Sequence, residues 1–390
     1  MFLREVKRLR EFVVPRMNKF GAKCITEIAS IAIDNKLTKA LIVTDNNLRK
    51  IGISNKIEKI LYDASLQYVT YAKVRPNPTK NNVYEALALY RKENCDFIIG
   101  LGGGSANDCS KAVGILVSNG GKLEDYVGLN KSKQAAPLIM LVNTTAGTAS
   151  EISRAYLISD EKKQEKLIFK DIHALPYCAF NDPELMTGLP AQITASTGMD
   201  ALTHALESYV CTGKYPLSQK LAIAAIELVF DNLREVIDNP SSIELRENMI
   251  YAQSLAGMAF CNSGVGLVHA IAHQLGAVYN LPHGLCNAIL LPHVMQYNRR
   301  VCEDEYAQLA RRLFAEKCKN KSTEECAELM IQEVLRLSND VGTVVRLRDI
   351  SVKESDYLLL AEKSLADGNI YKNPIMPSLE DVVEILRSAY

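Results

Sequence analysis

The chain has 390 residues, and its 45 Lys+Arg residues balance its 45 Asp+Glu residues, so its net charge is zero. This balance gives no electrostatic basis for binding nucleic acid or an acidic membrane, and the length predicts two domains. No apolar run approaches the ~20 residues that span a bilayer. The charge-interrupted stretch 1–11 lacks the apolar core of a signal peptide, and the ten cysteines show no CxxC spacing. We therefore expect reduced thiols in a cytoplasmic protein.

Residues 1–188 have the pattern of an α/β domain. Short runs rich in β-branched residues are separated by segments long enough for a helix, which is typical of a parallel, doubly wound sheet. Two prolines make residues 75–79 a predicted loop, because proline cannot supply the backbone N–H that helix and sheet require. The predicted strands are residues 40–45, 66–72, 96–100 and 137–142.

From residue 189 onwards the pattern changes to long stretches rich in Ala, Leu, Glu and Met. Their apolar residues recur at helical spacing, so we predict an all-α domain over residues 189–390. The predicted helices are residues 191–209, 218–237, 243–260, 304–316, 323–337 and 379–388.

A glycine cluster follows the third predicted strand and leads into a helix. Gly102, Gly103, Gly104 and Ser105 would let backbone N–H groups approach a pyrophosphate at the positive end of that helix. The usual dinucleotide fingerprint, with a third spaced glycine and an acid about 20 residues later, is not met. A tight turn without a ligand is the alternative interpretation.

Two other loops also follow predicted strands. Asp45 ends the first predicted strand. If that strand lies beside the glycine loop, Asp45 could accept hydrogen bonds from the adenosine ribose and favour NAD over NADP. It could also cap the next helix, and the two roles can coexist. Thr144, Thr145 and Thr148 follow the fourth strand and offer hydroxyls to phosphate or nicotinamide, although the segment also fits an ordinary Ser/Thr-rich turn. Ligands of such sheets bind outside the carboxyl ends of the strands, which favours the binding roles.

Four of the six histidines lie with an aspartate between residues 198 and 284. Asp200 and His204 are four residues apart, as are His269 and His273, so each pair shares one face of a helix. His283 lies in a predicted turn after Pro282. A buried carboxylate needs a partner, and a divalent metal would be one. Nitrogen and oxygen ligands suit Fe(II), Zn, Ni or Co, but spacing alone leaves open whether His269, His273 or both ligate.

These motifs resemble those of the iron-containing (group III) alcohol dehydrogenases over nearly the whole chain. The resemblance is nearest to the lactaldehyde:propanediol, 1,3-propanediol and iron-type ethanol and methanol dehydrogenases. It implies a dehydroquinate synthase-like fold, with the active site in a cleft between the two domains. The motifs that carry it are residues 76–79, 102–105 with Asp108 and Lys111, 144–151, 182–186, 198–205, and 266–276 with 282–284.

The resemblance also implies roles for the clustered side chains. Asp200, His204, His269 and His283 take the positions of the family's metal ligands. His273 takes the position of a residue near the nicotinamide and the substrate, where a neutral imidazole relays a proton.

Three further positions match the family's cofactor and substrate contacts. Lys166 corresponds to a lysine that contacts the nicotinamide ribose, Asp108 belongs to the glycine motif, and Phe260 resembles a pocket-lining aromatic residue. The segment 367–374 departs from several relatives, which could alter the mouth of the pocket.

The activity that the resemblance implies is reversible hydride transfer between NAD(H) and a small primary alcohol or diol, or its aldehyde. Fe(II), or alternatively Zn, would be the metal, and the chain would form a homodimer or a larger homo-oligomer. Two rival functions remain. A phosphate-handling relative, similar to dehydroquinate synthase or glycerol-phosphate dehydrogenase, would need basic residues in the cleft, and few lie near Asp200 and His269 in sequence. A catalytically lapsed regulatory protein that binds metal and nucleotide is the other.

Overall fold

The computed structural model describes residues 10–390. The stretch taken as evidence against a signal peptide therefore lies mostly outside the described residues. The described strands are β1 (Met17–Phe20), β2 (Lys39–Val43), β3 (Gln67–Tyr71), β4 (Phe97–Gly102), β5 (Gly128–Leu129), β6 (Ile139–Asn143), β7 (Ala155–Asp160), β8 (Glu165–Lys170) and β9 (Cys178–Asn181).

Six strands form one parallel sheet in the order β1-β9-β6-β4-β2-β3, which confirms the predicted fold class. Both faces of β2 are buried: Leu41 and Val43 pack into one apolar cluster, and Ala40 and Ile42 into another on the opposite face. Such two-sided burial explains the unbroken apolar runs. The strand order reverses between β2 and β4, where ligands of doubly wound sheets bind. Strands β1 and β9 were not predicted.

A second, three-stranded sheet in the order β5-β8-β7 was also not predicted. Strands β7 and β8 form an antiparallel hairpin whose side chains alternate between two environments. On the buried face Tyr156 stacks on Phe169, with ring centroids 4.5 Å apart. Lys166, Ile168 and Lys170 occupy the other face of β8 and line a cleft. This hairpin therefore forms one wall of the functional site.

The helices agree with the predicted pattern: those of the first half alternate with strands, and residues 191–390 contain helices and no strand. The domain boundary at residue 188 stays a prediction. The helices are α1 (Ile28–Asp34), α2 (Asn46–Lys50), α3 (Ile53–Asp63), α4 (Lys80–Lys92), α5 (Gly104–Asn119), α6 (Ala191–Val210), α7 (Pro216–Asp238), α8 (Ile243–Ser263), α9 (Leu267–Tyr279), α10 (His283–Leu313), α11 (Ala315–Cys318), α12 (Thr323–Asp340), α13 (Tyr357–Ala366) and α14 (Leu379–Ser388).

Two details of the helical half differ from the predictions. His283 does not lie in a turn but is the first residue of α10, with Pro282 before it as the N-cap residue. That helix bends at Cys302, whose backbone is not helical, so the predicted helix 304–316 is the continuation of a longer one. All ten cysteines are unpaired. Within the described residues no single helix is long and apolar enough to span a membrane, although α8 and α9 pass that test together across a 102° bend.

Candidate active site

The glycine loop and the threonine loop pack directly against each other. A Cβ atom on Gly103 would lie 2.8 Å from Thr145 Oγ1, and one on Gly104 would lie 2.9 Å from Thr148 Cγ2. Side chains at these glycine positions would therefore force the loops apart. The N-terminus of α5 begins at Gly104, so its unpaired N–H groups and positive potential face the space beside these hydroxyls. This arrangement suits a pyrophosphate.

Asp45 lies beside the glycine loop, as its cofactor role requires. Strand β2 pairs with β4, and a Cβ atom on Gly102 would lie 4.0 Å from Asp45 Oδ2. Asp45 Oδ1 accepts hydrogen bonds from the backbone N–H groups of Asn47 and Leu48 at 2.7 and 3.0 Å, so the aspartate also caps α2. One carboxylate oxygen holds the helix, and Oδ2 remains for a ribose.

Asp108 lines the cleft but is held by the protein itself. Its Oδ1 accepts a hydrogen bond from Ser150 Oγ at 2.6 Å, and its Oδ2 accepts one from Leu157 N at 2.9 Å. The buried Lys111 donates to Ser150 Oγ at 2.9 Å and to Ala155 O at 2.8 Å. These contacts fasten α5 to the threonine loop and to β7. Asp108 thus supports the shape of the cofactor loops rather than offering free oxygens to a ligand.

The four predicted metal ligands meet at one point, and this group of side chains is here named the metal cluster. Asp200 and His204 come from α6, His269 from α9 and His283 from the start of α10, and their potential ligand atoms all lie within 4.8 Å of one another. His273 is not among them. The geometry therefore separates the two histidines that spacing could not separate: His269 faces the cluster, and His273 lies one helical turn away.

The chemistry of this cluster fits a cation. Burial raises the pKa of Asp200 to about 6, and burial lowers the pKa values of His204 and His283 well below the usual histidine range. The imidazoles are thus neutral ligands, whereas the carboxylate needs a positive partner to stay ionised. The buried Nδ1 atoms of His204 and His283 have no hydrogen-bond partner. A divalent metal would stabilise the charged aspartate and use imidazole lone pairs.

Two residues that sequence reasoning missed support the cluster. Glu207 lies one turn after His204 on α6; its Oε2 is 2.5 Å from His269 Nδ1, and its Oε1 accepts from Val268 N at 2.7 Å. Such a carboxylate leaves the other ring nitrogen of His269 free to ligate. Asn287 Nδ2 donates to Asp200 Oδ1 at 2.6 Å. A glutamate inside the apolar stretch after His204 was the available sequence signal.

His273 has a different partner. Its Nδ1 lies 2.8 Å from Asp367 Oδ2, and its ring centroid is 5.6 Å from that of His283. Burial lowers the pKa of His273, and the neighbouring Asp367 carboxylate opposes that shift. A neutral imidazole next to the metal cluster, oriented by a carboxylate, is arranged to carry a proton.

Lys166 and Phe260 complete the site. Lys166 Nζ donates to Asn77 Oδ1 at 2.8 Å, in the predicted loop 75–79, and burial lowers the pKa of this lysine. Phe260 stacks on His204, with ring centroids 4.3 Å apart and an interplanar angle of 19°. The aromatic ring therefore forms an apolar surface next to the metal cluster.

One cavity of about 450 Å³ joins most of these features. The predicted site residues outside its lining are Asp45, Gly102, Gly103, Thr144, Thr145 and the buried Asp200. Thr144 is also buried, and its N–H donates to Gly102 O at 3.1 Å. The predicted site residues that line the cavity are Gly104, Ser105, Asp108, Thr148, Lys166, His204, Phe260, His269, His273 and His283.

Known proteins are similar to this chain in sequence and in fold. The family model for iron-containing alcohol dehydrogenase matches residues 15–183, and that for the C-terminal part of the Fe-containing alcohol dehydrogenase family matches residues 194–390. The chain is 42% identical to 1,3-propanediol dehydrogenase of Citrobacter freundii over 98% of this chain and 99% of that protein. It is 40% identical to lactaldehyde reductase of Escherichia coli (strain K12) over 90% and 92%.

A solved structure gives the same result. The crystal structure of a 1,3-propanediol oxidoreductase superposes with a TM-score of 0.95 at 41% identity, covering 98% of this chain and 100% of that one. The chain therefore belongs to the iron-containing alcohol dehydrogenase family and is an oxidoreductase of alcohols or the corresponding aldehydes.

Proposed function

We propose that this protein transfers a hydride reversibly between NAD(H) and a small primary alcohol or diol, or its aldehyde. The observation that carries the proposal is one cavity that is lined both by Gly104 and Ser105, at the start of α5, and by three of the four predicted metal ligands, His204, His269 and His283. A hydride donor and an activated oxygen must lie within reach of each other, and this cavity brings their binding groups together.

Each part of the cavity has a place in the reaction. Gly104, Ser105 and Thr148 line the cavity and would bind the pyrophosphate, whereas Gly103 and Thr145 pack against each other outside the lining. Lys166 lines the cavity and would donate a hydrogen bond to the nicotinamide ribose, as the resemblance to the family implies. Asp200, His204, His269 and His283 would hold a divalent metal, which would supply a Lewis acid for the oxygen of the substrate.

The remaining step is proton transfer. His273 is neutral and lies between the metal cluster and Asp367, so it can accept the proton of an alcohol and release it towards solvent. In the direction of aldehyde reduction the same residue supplies the proton. Phe260 covers the apolar part of a small substrate.

Several finer features belong to the same proposal. The ligand set of one carboxylate and three imidazoles suits both Fe(II) and Zn, and membership of the iron-containing family favours Fe(II). A cytoplasmic location and a homodimer or larger homo-oligomer stay predictions from the sequence and the resemblance.

The test is NADH absorbance after anaerobic reconstitution with Fe(II) or Zn. Propanediols, ethanol and lactaldehyde should change the absorbance, and metal-free protein should not change it. Glycerol phosphates in parallel assays test the phosphate-handling rival. No NADH change with any alcohol or aldehyde, in protein shown by elemental analysis to contain metal, would contradict the proposal.

Replacing Asp45 should weaken the preference for NAD. In Asp45→Ala the carboxylate no longer repels a 2′-phosphate or bonds the ribose, so we expect the ratio of kcat/KM for NADH to that for NADPH to fall by at least about tenfold. The variant also loses the cap of α2, and Asp45→Asn keeps the capping acceptor while removing the charge. Steady-state kinetics with both cofactors measures the ratio. An unchanged ratio in both variants would exclude a role for Asp45 in cofactor choice.

A further inference from the structure

Three cationic side chains line the active-site cavity without a part in the reaction described above. They are Arg154, Lys170 and Lys372. They come from the start of β7, the end of β8 and the segment after α13, all distant in sequence from the metal ligands. Few basic residues lie near Asp200 and His269 in sequence, but the fold brings these three into the cavity from distant segments.

Strand β8 sets the position of these cations relative to the metal cluster. Lys166 and Lys170 lie on the same face of the strand, four residues and about 13 Å apart along it. Lys170 Nζ donates to Asn369 Oδ1 at 3.1 Å, and Asn369 N donates to Asp367 Oδ1 at 2.8 Å. Asp367 in turn holds His273. The cations thus lie in the same cavity as the proton carrier, joined to it by a short chain of hydrogen bonds.

Little negative charge offsets this cluster. Arg154 Nη1 lies 3.3 Å from Glu11 Oε2, but that carboxylate is 72% exposed, so water screens the pair. Lys372 is exposed and forms no ion pair within the described part of the chain. Asp367 is already bonded to His273. Asp108 is the one carboxylate among the lining residues, and it accepts hydrogen bonds from Ser150 and from Leu157 N, so the cations outnumber the carboxylates of the cavity.

The cofactor does not account for this charge. The adenosine end belongs at Asp45, and the pyrophosphate has the N–H groups at the start of α5. The three cations share the cavity with several apolar residues, among them Phe260, which stacks on the predicted metal ligand His204. An elongated substrate could place its oxygen at the metal cluster, its carbon chain on Phe260 and a negative group at the cations.

We infer that the preferred substrate is a short aldehyde or primary alcohol that carries a carboxylate or phosphate group at the end remote from the reacting carbon. This inference rests on the proposed function, because it specifies the substrate class of the same site. In reduction the aldehyde carbon accepts the hydride of NADH and its oxygen accepts a proton, which gives NAD and the primary alcohol. The anionic group is unchanged by the reaction.

Matched substrate pairs test the inference in the metal-loaded protein. 4-Oxobutanoate is compared with butanal, and glyceraldehyde 3-phosphate with glyceraldehyde. In at least one of the two pairs we expect kcat/KM for the anionic aldehyde to exceed that for the neutral aldehyde by about tenfold or more. The reason is that hydrogen bonds to charged groups are stronger than those between neutral groups. The two pairs distinguish a carboxylate from a phosphate. The advantage should fall as ionic strength rises.

Variants of the cations test whether they cause the preference for anionic substrates. Lys372→Ser and Lys170→Met should each lower the ratio of anionic to neutral kcat/KM, and Lys59→Met, an exposed lysine on α3, should not. Because Lys372 is exposed, Lys372→Ser keeps the test valid if Lys170→Met fails to fold. A ratio near one in the unmodified protein that reduces butanal would overturn this inference alone. A higher KM for NADH with an unchanged substrate ratio would assign the cations to the cofactor and overturn it as well. No reduction of any aldehyde would overturn both proposals.

Discussion

His269→Ala is expected to lose bound metal and turnover together, whereas His273→Ala is expected to keep the metal and lose turnover. His269 belongs to the group whose ligand atoms lie within 4.8 Å of one another, and His273 does not. His269→Ala removes one of the four side chains that would hold the metal, so we expect the variant to lose the ion during purification. Removing a proton carrier lowers the rate by about 10²- to 10⁴-fold and leaves the ligands in place. Elemental analysis and steady-state kinetics on both variants measure the two effects.

The comparison controls for packing, because both histidines are buried on one helix and lose the same number of atoms. Equal metal loss in the two variants would mean that His273 also ligates, and the assignment of roles would be wrong. Full turnover in metal-loaded His273→Ala would instead mean that another group carries out the proton transfer.

The sequence could predict those parts of the site that depend on residues close together in the chain. Asp200 and His204 share a helix face because they are four residues apart, and glycines at the end of a buried strand mark a close approach of backbone to ligand. The choice between His269 and His273 was different. Both lie on the same face of α9, so only the approach of α6 and α10 decides which imidazole meets the other ligands.

The hairpin β7–β8 shows why the rest was missed. Its alternation of buried and cleft-facing residues is the usual arrangement of a half-buried strand, but the cleft face mixes Lys and Ser with Ala, Leu and Ile, so the alternation of apolar and polar residues is weak in the sequence. That face carries Lys166 and Lys170. Asp367 was predicted only as part of a divergent segment, since its partner His273 is 94 residues away in sequence. Contacts over such separations depend on the whole fold.

Glu207→Gln is expected to weaken metal binding without preventing it. Glu207 accepts from Val268 N and faces His269 Nδ1, so its charge favours the ring form whose other nitrogen can ligate. A glutamine of the same shape lacks that charge and can turn an N–H group towards the ring. Losing such a carboxylate typically lowers metal affinity by about 10- to 100-fold. Anaerobic titration of metal-free protein with Fe(II), followed by metal analysis after gel filtration, measures the change.

A matched control is Glu333→Gln, because Glu333 is a buried glutamate on α12 that pairs with Lys317, outside the cavity. It should leave the affinity for Fe(II) as it is. If Glu207 acts through His269, turnover in Glu207→Gln should recover as Fe(II) is raised to saturation, since the four ligands are intact. A rate loss that persists in the fully loaded variant would instead place Glu207 in the reaction itself. The dependence of kcat on metal concentration therefore separates a residue that orients a ligand from one that takes part in proton transfer.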